Sequence, residues 1–355
     1  MPPIFFFIPP ALWPNDLPTQ LDQPWAGYSL GLYAWTVQTH LHLRAAGVAC
    51  VLTRKLPDEG IVLCHSNALR SLKIPTSPRR LVICIKAESP LSPQSTLHIV
   101  QNPLEASPTA NRYYIPHWPQ PQLIPRDASR GIRFKTLAFL GHEDNLAPEL
   151  QSTAWQTALA ERSLQWRVIA SANRWDEYSN GISNGASNGT GAGWNDYHDI
   201  DAIVAVRSFN PWQRRLTKGF DYKPATKLYN AWLAGAIPIL GVESAYRRTG
   251  DRNQDYVEVL SFSELLNALD WLKVDESYRR SLLVQGHIKA QDYTPEKIAR
   301  KWQVFLEAIA IPAYLDWRSY SPRQRKQAIL AAQSASYFDK AKRRSRRWLN
   351  QILPS

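Results

Sequence analysis

The stretch from Lys223 to Tyr246, Lys-Pro-Ala-Thr-Lys-Leu-Tyr-Asn-Ala-Trp-Leu-Ala-Gly-Ala-Ile-Pro-Ile-Leu-Gly-Val-Glu-Ser-Ala-Tyr, holds the residues best placed to do chemistry. Pro224 followed by Thr226 predicts a helix start with Thr226 as its cap, and Gly235 predicts its stop. The first turn of such a helix offers backbone N–H donors and a partial positive charge, a combination that holds anions. Lys227 falls in that turn, where a cation opposes the helix dipole unless it shares a bound phosphate with the helix end. A solvated surface lysine is the competing reading.

Other candidates stand where strands should end. Arg207 follows the apolar run Asp-Ala-Ile-Val-Ala-Val, at the carboxyl edge where α/β sheets bind ligands; a guanidinium there could clamp a diphosphate in two-pronged fashion. A salt-bridge role is the alternative. Glu243 and Ser244 follow the next apolar run and could meet ribose or sugar hydroxyls. In the N-terminal half, Ile-Val-Leu-Cys-His-Ser-Asn sets His65 just beyond a strand, with an ordinary pKa suited to a general base near neutrality. A hydrogen-bonded structural histidine is the commoner use, and His117 is a weaker rival for the base. Asp199-Ile-Asp201 has the spacing of a metal-binding carboxylate pair, but it opens a strand and reads as a solvated strand entry sending both side chains to one face. No metal site and no resident cofactor are expected, and the chain has no Gly-x-Gly-x-x-Gly, P-loop or zinc-peptidase helix.

To position these residues, the chain needs two open sheets. Apolar runs at residues 4–8, 48–52, 61–64, 81–85 and 97–100 alternate with helix-like stretches, among them 29–46 closed by Gly47, and predict repeated βα units. Prolines then exclude regular structure around residues 116–131. A second set begins at Lys135–Gly141, continues with a helix over 148–161 and strands at 166–170, 200–206, 237–240 and 257–260, and ends in helices. A near-repeat of Ser-Asn-Gly over 179–193 predicts a loop, an inert insertion or a substrate lid, with Asn188-Gly-Thr190 a formal glycosylation acceptor.

Residues 205–246 resemble the donor-site segment of GT-B glycosyltransferases, most closely the fucosyltransferase type, through Lys-Leu, Asn-Ala, Ala-Gly and Pro running from helix into strand. The resemblance implies a fold of two Rossmann-like domains facing a central cleft, and transfer of a sugar from a nucleotide-sugar to a hydroxyl of a glycan or lipid-linked acceptor. It further implies that Lys227 contacts the donor phosphates, that Asn230 lies in or near the donor pocket, and that Gly235 and Pro238 shape the turn. The chain departs from the family in carrying Thr226 where the fucosyl type has Glu, and Tyr222 and Asn230 where many GT-B enzymes have paired glutamates. Donor sugar, base and stereochemical course stay open, as does the alternative of a catalytically inactive nucleotide- or glycan-binding protein.

Composition bounds these readings. A chain of 355 residues with 44% hydrophobic residues fits two globular domains. The expected division is 1–115 for the acceptor domain, 116–131 for the linker, 132–312 for the donor domain and 313–355 for a basic helical tail. From Ile311 onward ten basic residues face two acidic ones, +8 of the total +12, so most of the excess belongs to the tail. Tyr337, Phe338, Trp348 and Leu349 interleave with those bases, as in helices that lie on anionic membranes; a solvated helix is the alternative, and nucleic-acid binding is disfavoured. Cys50, Cys64 and Cys84 sit in apolar runs without metal spacing and read as core thiols of a reducing compartment. The apolar start lacks a basic leader and is too short to span a bilayer, so the expectation is a cytoplasmic enzyme, peripheral at the inner membrane face.

Overall fold

The computed structural model describes residues 1–170 and 193–352; the Ser-Asn-Gly repeat at 179–192, with Asn188, lies outside the described residues. The chain forms two compact units, each built on a parallel sheet.

In the first unit, β1 (Ile4–Phe7), α1 (Gly31–Ala45), β2 (Cys50–Thr53), β3 (Gly60–His65), α2 (Ser66–Ser71), β4 (Arg80–Ile85), β5 (Leu97–Val100) and β6 (Arg112–Tyr114) follow one another. The strand order is β2-β1-β3-β4-β5-β6, and every pairing is parallel. The continuous apolar runs read in the sequence follow from this: all six residues of β3 are buried, as a parallel strand covered on both faces requires. Gly47, at φ +80, ends α1 in the left-handed conformation that suits glycine. All three cysteines are unpaired and buried, and burial pushes the Cys50 and Cys84 thiols up to about 11 and about 12.

The second unit holds β7 (Thr136–Leu140), α3 (Thr153–Glu161), β8 (Gln165–Ile169), β9 (Ala202–Ala205), α4 (Pro211–Leu216), α5 (Thr226–Ala234), β10 (Ile237–Gly241), α6 (Ser244–Thr249), β11 (Val257–Val259), α7 (Phe262–Val274) and α8 (Glu276–Ala290). Its strand order, β11-β10-β9-β7-β8, is the doubly wound 2-1-3-4-5 arrangement, with the reversal between β7 and β9. Pro238 lies inside β10 and not in the turn before it; β11 pairs only from Ile239, so the missing N–H breaks no bond on that side.

The chain then returns to the first unit with α9 (Pro295–Phe305), α10 (Ile311–Ser319) and the 31-residue α11 (Pro322–Ile352). This corrects the expected boundary at 312. Ile298, Trp302, Phe305 and Trp317 pack into the first core with Ile4, Phe6 and Trp35, and Trp302 meets Phe6 edge-on at 6.2 Å between ring centroids. The basic tail is likewise docked: Ser336 donates to Leu91 O at 2.7 Å, the Leu91 N–H donates to Asp339, and Arg343 reaches Glu105 at 3.2 Å. Residues 116–131 are not a free linker either. Trp118 is buried in the first unit, its indole N–H on Thr39, while Ile124, Arg126 and Asp127 donate backbone N–H groups to Asn195, Ala234 and His198 of the second. A further excursion, residues 222–224, also belongs to the first unit, where Gln101 and Asn102 donate to the Tyr222 and Lys223 carbonyls, each at 3.0 Å. Among the described residues no helix is long and apolar enough to cross a membrane.

Candidate functional site

The reversal between β7 and β9 leaves a crevice at the carboxyl ends of those strands, where doubly wound sheets bind ligands. Gly141 follows β7 there, and Arg207 lies two residues past the end of β9. Lys227, at the second position of α5, reaches this edge: its ammonium donates to the Leu140 carbonyl and lies 4.7 Å from the centroid of the Phe139 ring. Gly141 makes room for it. A β-carbon at Gly141 would land on Lys227 Nζ, and its φ of +150 is one that side chains disfavour. The chain thus brings a cation, a glycine-cleared strand end and a helix N-terminus together.

The helix start differs from expectation in one detail. Ala225 is the N-cap, and no side chain caps the first turn; Thr226 is already helical, its hydroxyl accepting from the Tyr229 hydroxyl at 3.3 Å. Gly235 ends α5 at φ +72, as its position predicted.

Arg207 and Glu243, expected to hold diphosphate and sugar hydroxyls, instead meet each other. Arg207 Nε and Glu243 Oε1 form an ion pair at 2.8 Å, with side-chain exposures of 12% and 2%. Arg207 Nη1 also donates to Asn145, and the Tyr246 hydroxyl donates to Glu243. Burial and then the adjacent Glu243 carboxylate push the Tyr246 phenol well up. Glu243 is enclosed too far to meet a sugar, which corrects that assignment; it neutralises and orients Arg207 at the strand edge. Asn230 is also corrected. It is 4% exposed, and its carbonyl oxygen accepts the Gln120 N–H at 3.2 Å, so it fixes the incoming chain. Ser244 opens α6, its N–H donating to Gly219 O at 2.7 Å, and its half-buried side chain stays at the carboxyl edge of β10.

That bond joins the site to a feature the sequence reading missed. Lys218, Gly219 and Phe220 all have positive φ, at 51, 63 and 54. Left-handed backbone costs about 1–2 kcal/mol per non-glycine residue and persists only where surroundings impose it. Here the Phe220 side chain is buried and Gly219 packs on Ser244 N, so the turn holds the exposed Lys218 beside α6. The signal available was Gly219 itself, between a helix and an aromatic.

Asp199 and Asp201 both precede β9, so strand alternation does not govern them. Asp199 pairs with Arg167 at 2.5 Å. Asp201 is not solvated as expected: it is buried and accepts from Arg126, Arg130 and the backbone N–H groups of Lys135 and Thr136. Burial alone would raise its pKa, but the bonds from Arg130, Thr136, Lys135 and Arg126 hold it below the usual carboxylate value. Both are architectural. Among the described residues, no three His, Cys, Asp or Glu side chains gather as metal ligands.

In the first unit, His65 ends β3, next to that sheet's own reversal between β1 and β3. Its Nδ1 accepts the Asn67 N–H at 3.1 Å as the N-cap of α2, so the neutral ring carries its proton on Nε2, which is enclosed. Burial, then Arg70 and His117, lower its pKa to about 3. That tautomer donates; it is the wrong one for a base. His117 has the opposite arrangement: Nδ1 lies 2.7 Å from the Trp118 carbonyl, which can only accept, so the lone pair is on Nε2.

No protein-family model matches the chain. No curated protein matches it. Solved structures do resemble it in fold. Sucrose-phosphate synthase from Thermosynechococcus elongatus superposes with a TM-score of 0.54 at 13% identity, covering 88% of this chain and 100% of that one. Anabaena HepE in complex with UDP and glucose gives a TM-score of 0.52 at 13% identity, covering 87% and 100%. At that identity the likeness concerns the fold alone, and the fold is that of GT-B glycosyltransferases: two parallel-sheet α/β domains, here followed by a C-terminal helical tail.

Proposed function

We propose that this chain is a glycosyltransferase that moves a sugar from a nucleoside-diphosphate-sugar to a hydroxyl acceptor. The observation that carries the reading is Lys227, held over Gly141 at the N-terminus of α5 and at the reversal point of the second sheet. A diphosphate seated there would meet an ammonium and helix N–H groups, which stabilise the negative charge that develops as the nucleoside diphosphate leaves. Arg207, fixed by Glu243 and Asn145, adds positive charge at the neighbouring strand end, and Lys218 and Ser244 line the same edge. Within the first unit, His117 is the candidate base for an acceptor hydroxyl, its lone pair set on Nε2 by the bond between Nδ1 and the Trp118 carbonyl.

The donor's identity is sought with a panel that includes UDP-glucose and, from the resemblance of residues 205–246, GDP-fucose. Release of nucleoside diphosphate from one donor supports transfer chemistry. Binding of a nucleoside diphosphate with no turnover, across a panel of donors and acceptors, would favour the inactive binding protein instead.

A lipid-linked acceptor is the second part of the reading, and it rests on α11. Its outward face exposes Leu330 (51%), Tyr337 (71%), Phe338 (70%) and Trp348 (60%) among basic residues, the composition of a helix lying in an anionic membrane interface. Co-sedimentation with vesicles containing an anionic phospholipid, weakened by replacing Tyr337 and Phe338 with Ser, is the expected result; indifference to that change would count against the membrane.

A further inference from the structure

A cavity of about 110 Å³ lies within the first unit, at the amino-terminal edge of its sheet, among the 73–77 loop, the starts of β4 and β5, and helices α10 and α11. Strand β4 separates this edge from the carboxyl edge by its six residues, about 20 Å at the usual rise. It is therefore remote from the edge of that sheet at which His65 stands.

Its lining is electrostatically one-sided. Arg80 and Lys73 contribute two positive charges, and no Asp or Glu lines the cavity. Arg80 is 7% exposed, and among the described residues no carboxylate pairs with it; it donates only to the Pro57 and Pro75 carbonyls, at 2.7 and 2.6 Å. Its Nε finds no partner. Burial lowers the pKa of this guanidinium despite the opposing field of Asp58, which makes no ion pair with it, and an anion in the adjoining space would lower the cost of that burial. Thr76 and Thr96 add hydroxyl donors, and Ile74, Trp317 and Ile329 form apolar walls. The walls are fixed in advance: Trp317 Nε1 donates to Ser77 O at 2.8 Å, and Gln94 binds the Ile74 N–H and the Leu69 and Leu72 carbonyls. At about 30 Å³ per liquid water, the space holds three or four waters or one tetrahedral anion with a short carbon chain.

We propose that this cavity is a binding site for a phosphomonoester, a dianion matched to Arg80 and Lys73 with a short apolar substituent against Trp317 and Ile329. Two sources share that chemistry, a soluble phosphate ester and the headgroup of a phosphatidic-acid-type lipid. The site does not depend on the proposed glycosyl transfer.

The test titrates full-length protein calorimetrically with n-butyl phosphate, using n-butanol as control. Lys73 and Gln333 are exposed at the cavity mouth, so Lys73→Glu and Gln333→Trp leave the fold intact, checked by unchanged thermal unfolding. Wild-type protein and Lys227→Ala should bind butyl phosphate saturably and equally. Lys73→Glu should weaken binding at least tenfold, and Gln333→Trp, which fills the mouth, should abolish it. No saturable binding, binding unchanged in both mouth variants, or loss of binding in Lys227→Ala would overturn the assignment. Vesicles doped with phosphatidic acid separate the sources: retention lost in Gln333→Trp identifies the lipid headgroup, and butyl phosphate binding without such a change identifies the soluble ester.

Discussion

Lys227 occupies the space that a side chain at Gly141 would fill. The two residues are far apart in sequence, and the glycine at the end of β7 is what lets the first turn of α5 carry an ammonium to the strand edge. Gly141→Ala should therefore displace Lys227 and strain a backbone at φ +150. We expect donor affinity to fall at least tenfold and stability to fall by about 1–3 kcal/mol. Donor titration together with urea unfolding checks both, and a variant with wild-type donor affinity would break the link between the two residues.

The Arg207–Glu243 pair is enclosed, so removing one partner strands the other charge. Glu243→Gln should destabilise the second unit by about 3–5 kcal/mol. Arg207→Met with Glu243→Leu should recover most of that loss while leaving donor turnover depressed, because the charge at the end of β9 is gone. Chemical denaturation of the single and double variants, with turnover assayed beside it, separates the two effects. A double variant with normal turnover would remove Arg207 from the chemistry.

The two histidines are told apart by their protons. His65→Asn keeps a side-chain acceptor for the Asn67 N–H and should retain both fold and most activity. His117→Gln should lower kcat by about 10²–10⁴-fold and flatten its acid limb. If instead His65→Asn abolishes turnover in a folded protein, the base has been assigned to the wrong ring.

Acid should weaken the first unit before the second. Burial is the first cause that holds His40 and His98 down to about 4 and His65 to about 3, against an ordinary 6.5. In the folded chain these rings stay neutral while the unfolded chain takes up protons, so stability falls as pH drops from about 6.5 toward 4. Asp201, the buried anchor of the second unit, has its pKa lowered and stays charged. Its contribution is present above the ordinary carboxylate value and is lost only as pH falls through the lowered one. Hydrogen exchange at pH 7 and pH 5 should show protection lost first in β1 to β5. Equal loss across both sheets would contradict this order.

What the sequence made legible was local. Uninterrupted apolar runs marked the parallel strands, Gly47 and Gly235 marked helix ends, and positions just past those runs placed His65, Arg207 and Lys227 at carboxyl edges. Pairing over distance was not legible. Nothing near Glu243 points to Arg207, nothing near Asn230 points to Gln120, and the apolar positions of α9 and α10 announce burial without saying that Trp302 and Trp317 return to the first core. The left-handed turn at Lys218–Phe220 escaped because only one of its three residues is glycine.

The central claim is that Lys227 holds the donor diphosphate. Donor binding and nucleoside diphosphate release should be compared between the wild type and Lys227→Ala, using the donor that the wild type turns over. Loss of about 2–5 kcal/mol in donor affinity or transition-state binding, with the fold retained, is the result the account predicts. A variant within about twofold of wild type, a difference of only about 0.4 kcal/mol, would contradict it.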